Sequence, residues 1–520
     1  MNNKRVLTAK EAVDLIENGQ TVVTGGFVSS CCPEALTSAL EERFINTGLP
    51  KDLTLVFAAG QGKRDGRGND HFAHEKMVKK VIGGHWDRGP KLGAMAIENK
   101  IEAYNFPQGV ISHLFRDIAA KKIGTITHVG LNTFVDPRNG GGKLNSKTKE
   151  DLVKLIEIEG QERLLYKSFP IDICLIRGTY ADESGNVTVE KEIGSLDSTA
   201  MAQACKNSGG KVIVQVEKIV KNGSLDPKLV KIPRIYVDAL VIGDKESSLQ
   251  CLGCEYDPSL TGELRVPLDG LNPAPLNARK VIARRAAMEL KKDAVVNLGV
   301  GVPELISSVA AEEGIEDYMT LTVEAGAIGG MPMPGAQFGA SSNVESILDQ
   351  NVLFDFYDGG GLDIAYLGMA QIDEIGNINV SKFGTRLAGC GGFINITQNA
   401  KKVVFCGTFT AGGLKTEIKD GKLHIIKEGK MKKFIKNIEQ ITFSGIYANK
   451  VKQPVMYITE RAVFELREEG LYLTEIAPGI DIQTQILDKM EFKPKIEKEP
   501  KLMDERLFSK DIMGLAKDRI

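Results

Sequence analysis

The residue with the strongest claim to chemistry is an acid without a twin. Thr320-Leu321-Thr322-Val323-Glu324-Ala325-Gly326 runs from a β-branched segment into small residues and on to Gly329-Gly330. That pattern puts the Glu324 carboxylate at a strand end, with little side-chain bulk around it and open backbone approach. A lone strand-end glutamate is ordinarily just solvated, so its claim rests on its surroundings. The six histidines (71, 74, 85, 113, 128, 424) form no His-Glu-x-x-His, and His71-x-x-His74 reads as part of a solvated loop rather than a metal pair. Neither a Gly-x-Ser-x-Gly elbow nor a P-loop is present. The chemistry these parts allow is a carboxylate nucleophile, with backbone N–H groups holding an oxyanion. Gly389-Cys390-Gly391-Gly392 could supply converging amides, a plain turn being the competing reading.

A second glycine loop, Val295-Val296-Asn297-Leu298-Gly299-Val300-Gly301-Val302-Pro303-Glu304, reads as a strand, a turn and a helix with Pro303 at its first position. Its N–H groups can receive an anion. Glu304 stands where a dinucleotide fingerprint needs a third glycine, so that reading is weak. Glu304 and the matching Glu34 are taken as structural acids in first helical turns, where the macrodipole favours negative charge.

The elements that must position these residues occur twice. Asp172-Ile173, Asp182-Glu183, Gly185-Asn186 and Lys211 recur as Asp363-Ile364, Asp373-Glu374, Gly376-Asn377 and Lys402, each pair 191 positions apart. Upstream, Thr21-Val22-Val23 with its glycine turn is matched to Val295-Val296 at an offset of 273, which leaves the first copy 82 residues longer, largely between Gly60 and Gly93. Glu324 has no counterpart in the first copy. Short β-rich runs alternate with helical segments, predicting an α/β fold of two tandem, duplicated domains with mostly parallel sheets covered by helices. The boundaries read as 1–245, a polar Pro- and Gly-containing linker over 246–276, and 277–520. Ligands belong at strand carboxyl ends, or in a cleft between the domains.

The 520 residues, 42% hydrophobic and 26% charged, can bury more than one core. A net charge of -2 removes the basic surface that nucleic-acid binding needs. One Trp and 6% aromatic residues argue against a carbohydrate-stacking surface. The N-terminus lacks an apolar signal core and no window reaches a membrane span, so a soluble cytoplasmic protein is expected. Eight scattered cysteines fit reduced thiols; Cys251-x-x-Cys254 has no second pair and reads as two small buried or loop thiols rather than a zinc site.

These motifs together resemble the family I coenzyme A transferases over nearly the whole chain, with fused α-like and β-like halves. The family's glutamate motif is matched by Val323-Glu324-Ala325-Gly326 with Gly329-Gly330, its Asn-Leu-Gly-x-Gly-x-Pro by Asn297 to Pro303, its Gly-x-Gly-Gly by Gly389 to Gly392, and its Pro-Gln-Gly by Pro107-Gln108-Gly109. The extended first half is similar to that of bacterial acetate and propionate CoA-transferases. One departure is Gly25-Gly26-Phe27-Val28-Ser29-Ser30-Cys31-Cys32-Pro33-Glu34-Ala35, where the ketoacid-using branch has Gly at position 31 and Asn at position 35; this argues against a 3-ketoacid substrate.

The resemblance implies transfer of CoA between a short-chain acyl-CoA and a free carboxylate such as acetate or propionate, by a ping-pong route through a thioester on Glu324. It assigns oxyanion donors to Gly391 and Gly392, orientation of substrate oxygens to Gln108 and Asn297, and CoA binding to Asn297, Gly299, Val300, Gly301 and Val302. CoA is then a substrate, no permanent cofactor or metal is needed, and the assembly is a homo-oligomer, dimer or tetramer, without nucleic-acid or membrane partners. Two other readings are an acyl-CoA hydrolase using the same glutamate, and a non-catalytic ligand-sensing module. The segment Met331-Pro332-Met333-Pro334-Gly335 is read as the cap of a short acyl pocket.

Overall fold

A computed structural model describes residues 5–267 and 273–517. The chain folds as two compact units. The first comprises residues 1–266, 323–355 and 381–395, the second 267–322, 356–380 and 396–520. These units cut the chain differently from the two repeated halves, because the Glu324 and Gly389–Gly392 segments pack within the first. Residues 268–272 of the expected linker lie outside the described residues.

The first unit is built on eight parallel strands: β1 (Arg5–Leu7), β2 (Thr21–Thr24), β3 (Leu53–Phe57), β4 (Val78–Gly83), β5 (Glu102–Asn105), β6 (Ile173–Arg177), β7 (Lys211–Val216) and β8 (Ala239–Ile242), in the order β1-β8-β7-β6-β2-β3-β4-β5. Every neighbouring pair is parallel. Helices must then cover both faces, so the inner strands read as continuous apolar runs such as Ile173–Ile176, which are fully buried. The glycine- and charge-rich stretch 60–93 supplies β4 and a short 3-10 turn, Gly68–Phe72. Val22, Leu55, Phe57, Val81, Trp86, Ile173 and Ile213 share one core.

In the second unit β9 (Ala294–Leu298), β10 (Met319–Thr322), β11 (Ile364–Gly368), β12 (Val403–Cys406), β13 (Val455–Ile458), β14 (Ala462–Arg467), β15 (Gly470–Ile476) and β16 (Lys495–Leu502) run in the order β10-β9-β11-β12-β13-β14-β15-β16. The first five are mutually parallel; β14 turns antiparallel to both neighbours. The expected α/β architecture with mostly parallel sheets is therefore what the chain forms, and among the described residues no helix is long and apolar enough to cross a membrane.

The duplication is visible bond by bond. Cys174 faces Val212 as Ala365 faces Val403. Asp182 accepts from Asn186 N–H and Nδ2 at 3.0 and 2.8 Å, and Asp373 from Asn377 N–H and Nδ2 at 2.8 Å each. The repeated Asp-Glu-x-Gly-Asn motif is thus a self-capped turn. Thr21 N–H binds Asp172 at 2.7 Å as Val295 N–H binds Asp363 at 2.8 Å, and Gly25 N–H binds Leu175 O as Gly299 N–H binds Tyr366 O. These equivalences are 274 positions apart, which corrects the offset of 273 by one residue. Valine runs are self-similar under a one-residue slip, and only the hydrogen bonds fix the register.

Candidate active site

β10 ends at Thr322, and the chain turns at once: Gly326 N–H donates to Val323 O, and Val323 N–H to Ala327 O, each at 2.9 Å. Val323 and Ala325 point inward onto a cluster with Phe27, Val28, Cys31, Ala59, Ile193, Ala340 and Val344. Burying a valine is worth about 1.5–3 kcal/mol, enough to decide which of three successive side chains turns in. Glu324, between two buried neighbours, is left half-buried at the turn. Gly326 has φ +124, and a β-carbon there would run into the Leu348 carbonyl oxygen. Leu348 N–H in turn donates to Gly326 O at 2.9 Å, and Ala327–Ile328 pairs antiparallel with Ser346–Ile347. Downstream, Met331–Pro332 pairs with Ser341–Ser342, and Met333 rests against the same cluster.

Gln108 opens the helix Gln108–Ala119, directly after Pro107, and is buried. Its backbone N–H donates to Gly391 O at 2.9 Å, while Nε2 donates to Gln350 Oε1 at 3.0 Å. Gln350 Nε2 donates to Asp197 Oδ2 at 2.6 Å, and Ser112 donates to the other Asp197 oxygen. Gln350 lies two residues beyond Leu348, so one short segment ties down both the Glu324 turn and Gln108. Gln350 and Asp197 were missed in the sequence. Asp197 occupies the N-cap position of helix Ser198–Asn207 yet makes no cap hydrogen bond. An Asp before a helix reads as a cap, and nothing in its spacing shows that this carboxylate is spent elsewhere.

The Gly389–Gly392 turn corrects an expectation. Gly389 N–H donates to Ser381 O and Cys390 N–H to Asn105 Oδ1, each at 2.9 Å, and Gly391 N–H donates to Gly84 O at 2.8 Å. Gly391 is therefore not placed as an open donor; of the pair, only the buried Gly392 N–H has no backbone acceptor among the described residues. Trp86 N–H donates to Ala388 O at 2.8 Å, bringing residues 84–88 alongside the turn. His85 there is held neutral, its pKa pushed down to about 3 by burial and by the cations Arg88, Arg64 and Arg386. Arg64 and Arg386 are both paired with Asp87, which meets part of that positive charge.

In the second unit Asn297 is buried at the end of β9 and donates Nδ2 to Thr322 O at 3.2 Å, two residues before Glu324 in the chain. Gly299 has little room for a side chain, with Leu367 and the Tyr366 carbonyl at 3.0–3.3 Å from its would-be β-carbon, whereas Gly301 at φ +96 faces open space and Val300 is exposed. The loop's N–H groups are not all available, since Gly299 N–H goes to Tyr366 O; burial raises the pKa of the Glu304 carboxyl, and the nearby Gly301 N–H draws it down. The helix begins at Leu305, so Pro303 and Glu304 form the turn before it rather than its first turn.

Another reading changes. His71 is buried, not solvated: its ring nitrogens meet Glu34 Oε1 at 2.7 Å and Glu41 Oε2 at 2.5 Å, and His74 meets Glu41 at 2.7 Å. Glu34 also accepts from Gly68 N–H at 3.2 Å, so the acids and histidines clamp the 60–93 stretch onto helix Glu34–Thr47. Among the described residues no three His, Cys, Asp or Glu side chains are grouped to hold a metal. Cys31, Cys32 and Cys390 are buried; desolvation raises the Cys32 thiol to about 12 and the other two well above the ordinary range, which disfavours the thiolate form a nucleophile needs.

A protein-family profile described as Coenzyme A transferase matches residues 6–243 and 279–486. The chain is 47% identical over 515 residues to acetate CoA-transferase YdiF of Escherichia coli O157:H7, covering 98% of this chain and 96% of that one. It is 48% identical over 517 residues to a caffeate CoA-transferase of Acetobacterium woodii, covering 98% of both. The crystal structure of the YdiF apoenzyme superposes with a TM-score of 0.94 over 98% of this chain and 97% of that one at 46% identity, and the YdiF thioester complex with CoA with a TM-score of 0.93. With the repeat, the two mostly parallel sheets and the Glu324 turn already in place, these matches settle the family: the chain belongs to the coenzyme A transferases, as a family I enzyme close to the bacterial acetate CoA-transferases.

Proposed function

We propose that the enzyme moves CoA from a short-chain acyl-CoA to a free carboxylate such as acetate or propionate, through a thioester on Glu324. The observation that carries this is the Glu324 turn, in which a single carboxylate stands half-exposed between two buried side chains on a backbone fixed from both sides. A Glu324 oxygen attacks the thioester carbonyl and expels CoA thiolate, leaving an acyl-glutamyl anhydride. The thiolate attacks the glutamyl carbonyl and displaces the donor's free acid, leaving CoA on Glu324. An incoming carboxylate repeats the two exchanges in reverse. One thioester replaces another, so the energy of the bond is kept and no nucleotide is consumed. With Gly391 N–H spent on Gly84, the oxyanion donor of that turn is Gly392 N–H, a contribution of about 3–4 kcal/mol. Gln108 and Asn297 orient substrate oxygens, and the Asn297–Val302 loop receives CoA. The repeated halves 1–245 and 277–520 assemble as a cytoplasmic homo-oligomer.

Incubation with acyl-CoA and no acceptor should yield a protein heavier by one CoA less one water, mapped to the Glu324 peptide and discharged by acetate. An acyl adduct, or one on Cys31 or Cys390, overturns the route. Turnover that does not depend on added carboxylate, with the CoA and free acid both released into water, makes the enzyme a hydrolase instead.

Chain length is the second test. Each methylene that fits adds up to about 0.8 kcal/mol of burial, while one that meets the Met331–Gly335 segment costs about 1–3 kcal/mol of packing strain. kcat/KM should peak between acetyl- and butyryl-CoA and fall for octanoyl-CoA. The similarity to a caffeate CoA-transferase gives a second reading, an aromatic acid. A caffeoyl-CoA value above the acetyl-CoA value favours it and removes the short cap.

A further inference from the structure

The hydrogen-bonded chain behind Gln108 has a direction. Ser112 Oγ–H and Gln350 Nε2–H both donate to Asp197, Gln350 Oε1 accepts from Gln108 Nε2, and Gln108 Oε1 lies on the Gly391 side, 3.7 Å from where a Gly391 β-carbon would sit. Every side chain in it is buried. An ionised carboxylate can only accept, so it forces each amide to turn its N–H toward Asp197 and its oxygen away. A protonated one has a hydrogen to give. It donates to the Gln350 oxygen, both amides turn over, and Gln108 presents its NH2 to the Gly391 side, where a developing oxyanion needs a donor.

We propose that Asp197 is a positioning residue which, acting through Gln350, sets whether Gln108 offers its oxygen or its NH2 toward Gly391. The proposal rests on the reading that Gln108 orients substrate oxygens, and it makes the neutral form of Asp197 the competent one. Burial raises the Asp197 carboxyl to about 7, Asp349 pushes the same way, and Ser112, His113 and Gln350 draw it down. The charged or titratable neighbours are His113 on the Gln108–Ala119 helix and Asp349 beside Gln350; Lys231 meets Asp349 at 3.3 Å, and Asp355 takes His113 at 3.2 Å and Arg116 at 2.6 Å.

Asp197→Asn is the informative variant, because an amide donates to Gln350 and accepts from Ser112 at every pH, as the protonated acid does. In the wild type kcat should fall by about tenfold per pH unit once Asp197 ionises, or about 30-fold by pH 8.5, with the acyl-CoA KM little changed. D197N should hold the acid plateau across the range. Gln350→Leu, which keeps Asp197 but cuts the chain, should also flatten the profile, and His113→Gln should leave the fall in place. A D197N enzyme that follows the wild-type curve, or that is depressed equally at all pH, overturns the proposal, as does an H113Q enzyme that abolishes the fall. If Gln108→Ala turns over at the full wild-type rate, the placement of Gln108 fails and this proposal with it; an impaired Q108A beside a D197N enzyme with wild-type pH dependence sinks the Asp197 proposal alone.

Discussion

Glu324→Asp should lose at least about 100-fold in kcat while its thermal unfolding barely moves. The carboxylate keeps its charge but retracts by one C–C bond, about 1.5 Å, and misplacement of about 1 Å already costs ~100-fold. Neighbouring groups cannot follow it, because Val323 and Ala325 are locked into the apolar cluster and Gly326 is held against Leu348. The substitution keeps the charge and removes one methylene from a partly exposed side chain, a change in burial of no more than about 0.8 kcal/mol. Steady-state kinetics with acetyl-CoA and a scanning melt check both halves, and intact mass should find no CoA adduct. Near-normal turnover would remove Glu324 from the chemistry.

Gly326→Ala should damage both activity and fold. Alanine at φ +124 costs about 1–3 kcal/mol of backbone strain. The added carbon also meets a carbonyl oxygen, Leu348 O, which is part of a strand-paired segment and has nowhere to go. The turn must open, moving Glu324 and loosening the segment that leads to Gln350. A loss of about 100-fold or more in kcat/KM is expected, with a lowered unfolding midpoint. Gly160→Ala, in the turn of a hairpin outside the site, is the control: φ is +75 but nothing lies within 4 Å of the new carbon, so it should carry strain without the loss of turnover. Equal behaviour of the two variants would mean that the close approach at Gly326 does not hold the turn.

What the sequence makes legible is local and periodic. Buried parallel strands are continuous apolar runs, so Ile173–Ile176 and Val403–Cys406 announce themselves. A strand that breaks into Glu-Ala-Gly announces a turn with an acid on it. The 191-residue repeat reveals a duplicated scaffold, and against it a strand-end acid with no counterpart becomes conspicuous. What stays hidden is what depends on partners far along the chain. Gly391 looks like a donor until Gly84, 307 residues earlier, is found to accept its proton. Asp197 looks like a helix cap until Ser112 and Gln350 are found on it. His71 looks solvated until Glu34 and Glu41 close around it. The division into compact units is hidden for the same reason, since no spacing says that residues 323–355 pack with the first 266.

That division bears on how the chain is made. The first unit cannot be completed when residue 266 leaves the ribosome, because two of its pieces, the later ending at residue 395, have yet to be translated. At about 5–20 residues per second the wait is roughly 6–26 s. For roughly the first 4–16 s of it, until residue 344 is made, Phe27, Val28, Cys31, Ala59 and Ile193 lack the covering side chains of Val323, Ala325, Ala327, Ala340 and Val344. The nascent N-terminal portion therefore carries an open apolar floor through that interval, a surface suited to chaperone capture, and the turn that bears Glu324 is also the lid that closes it.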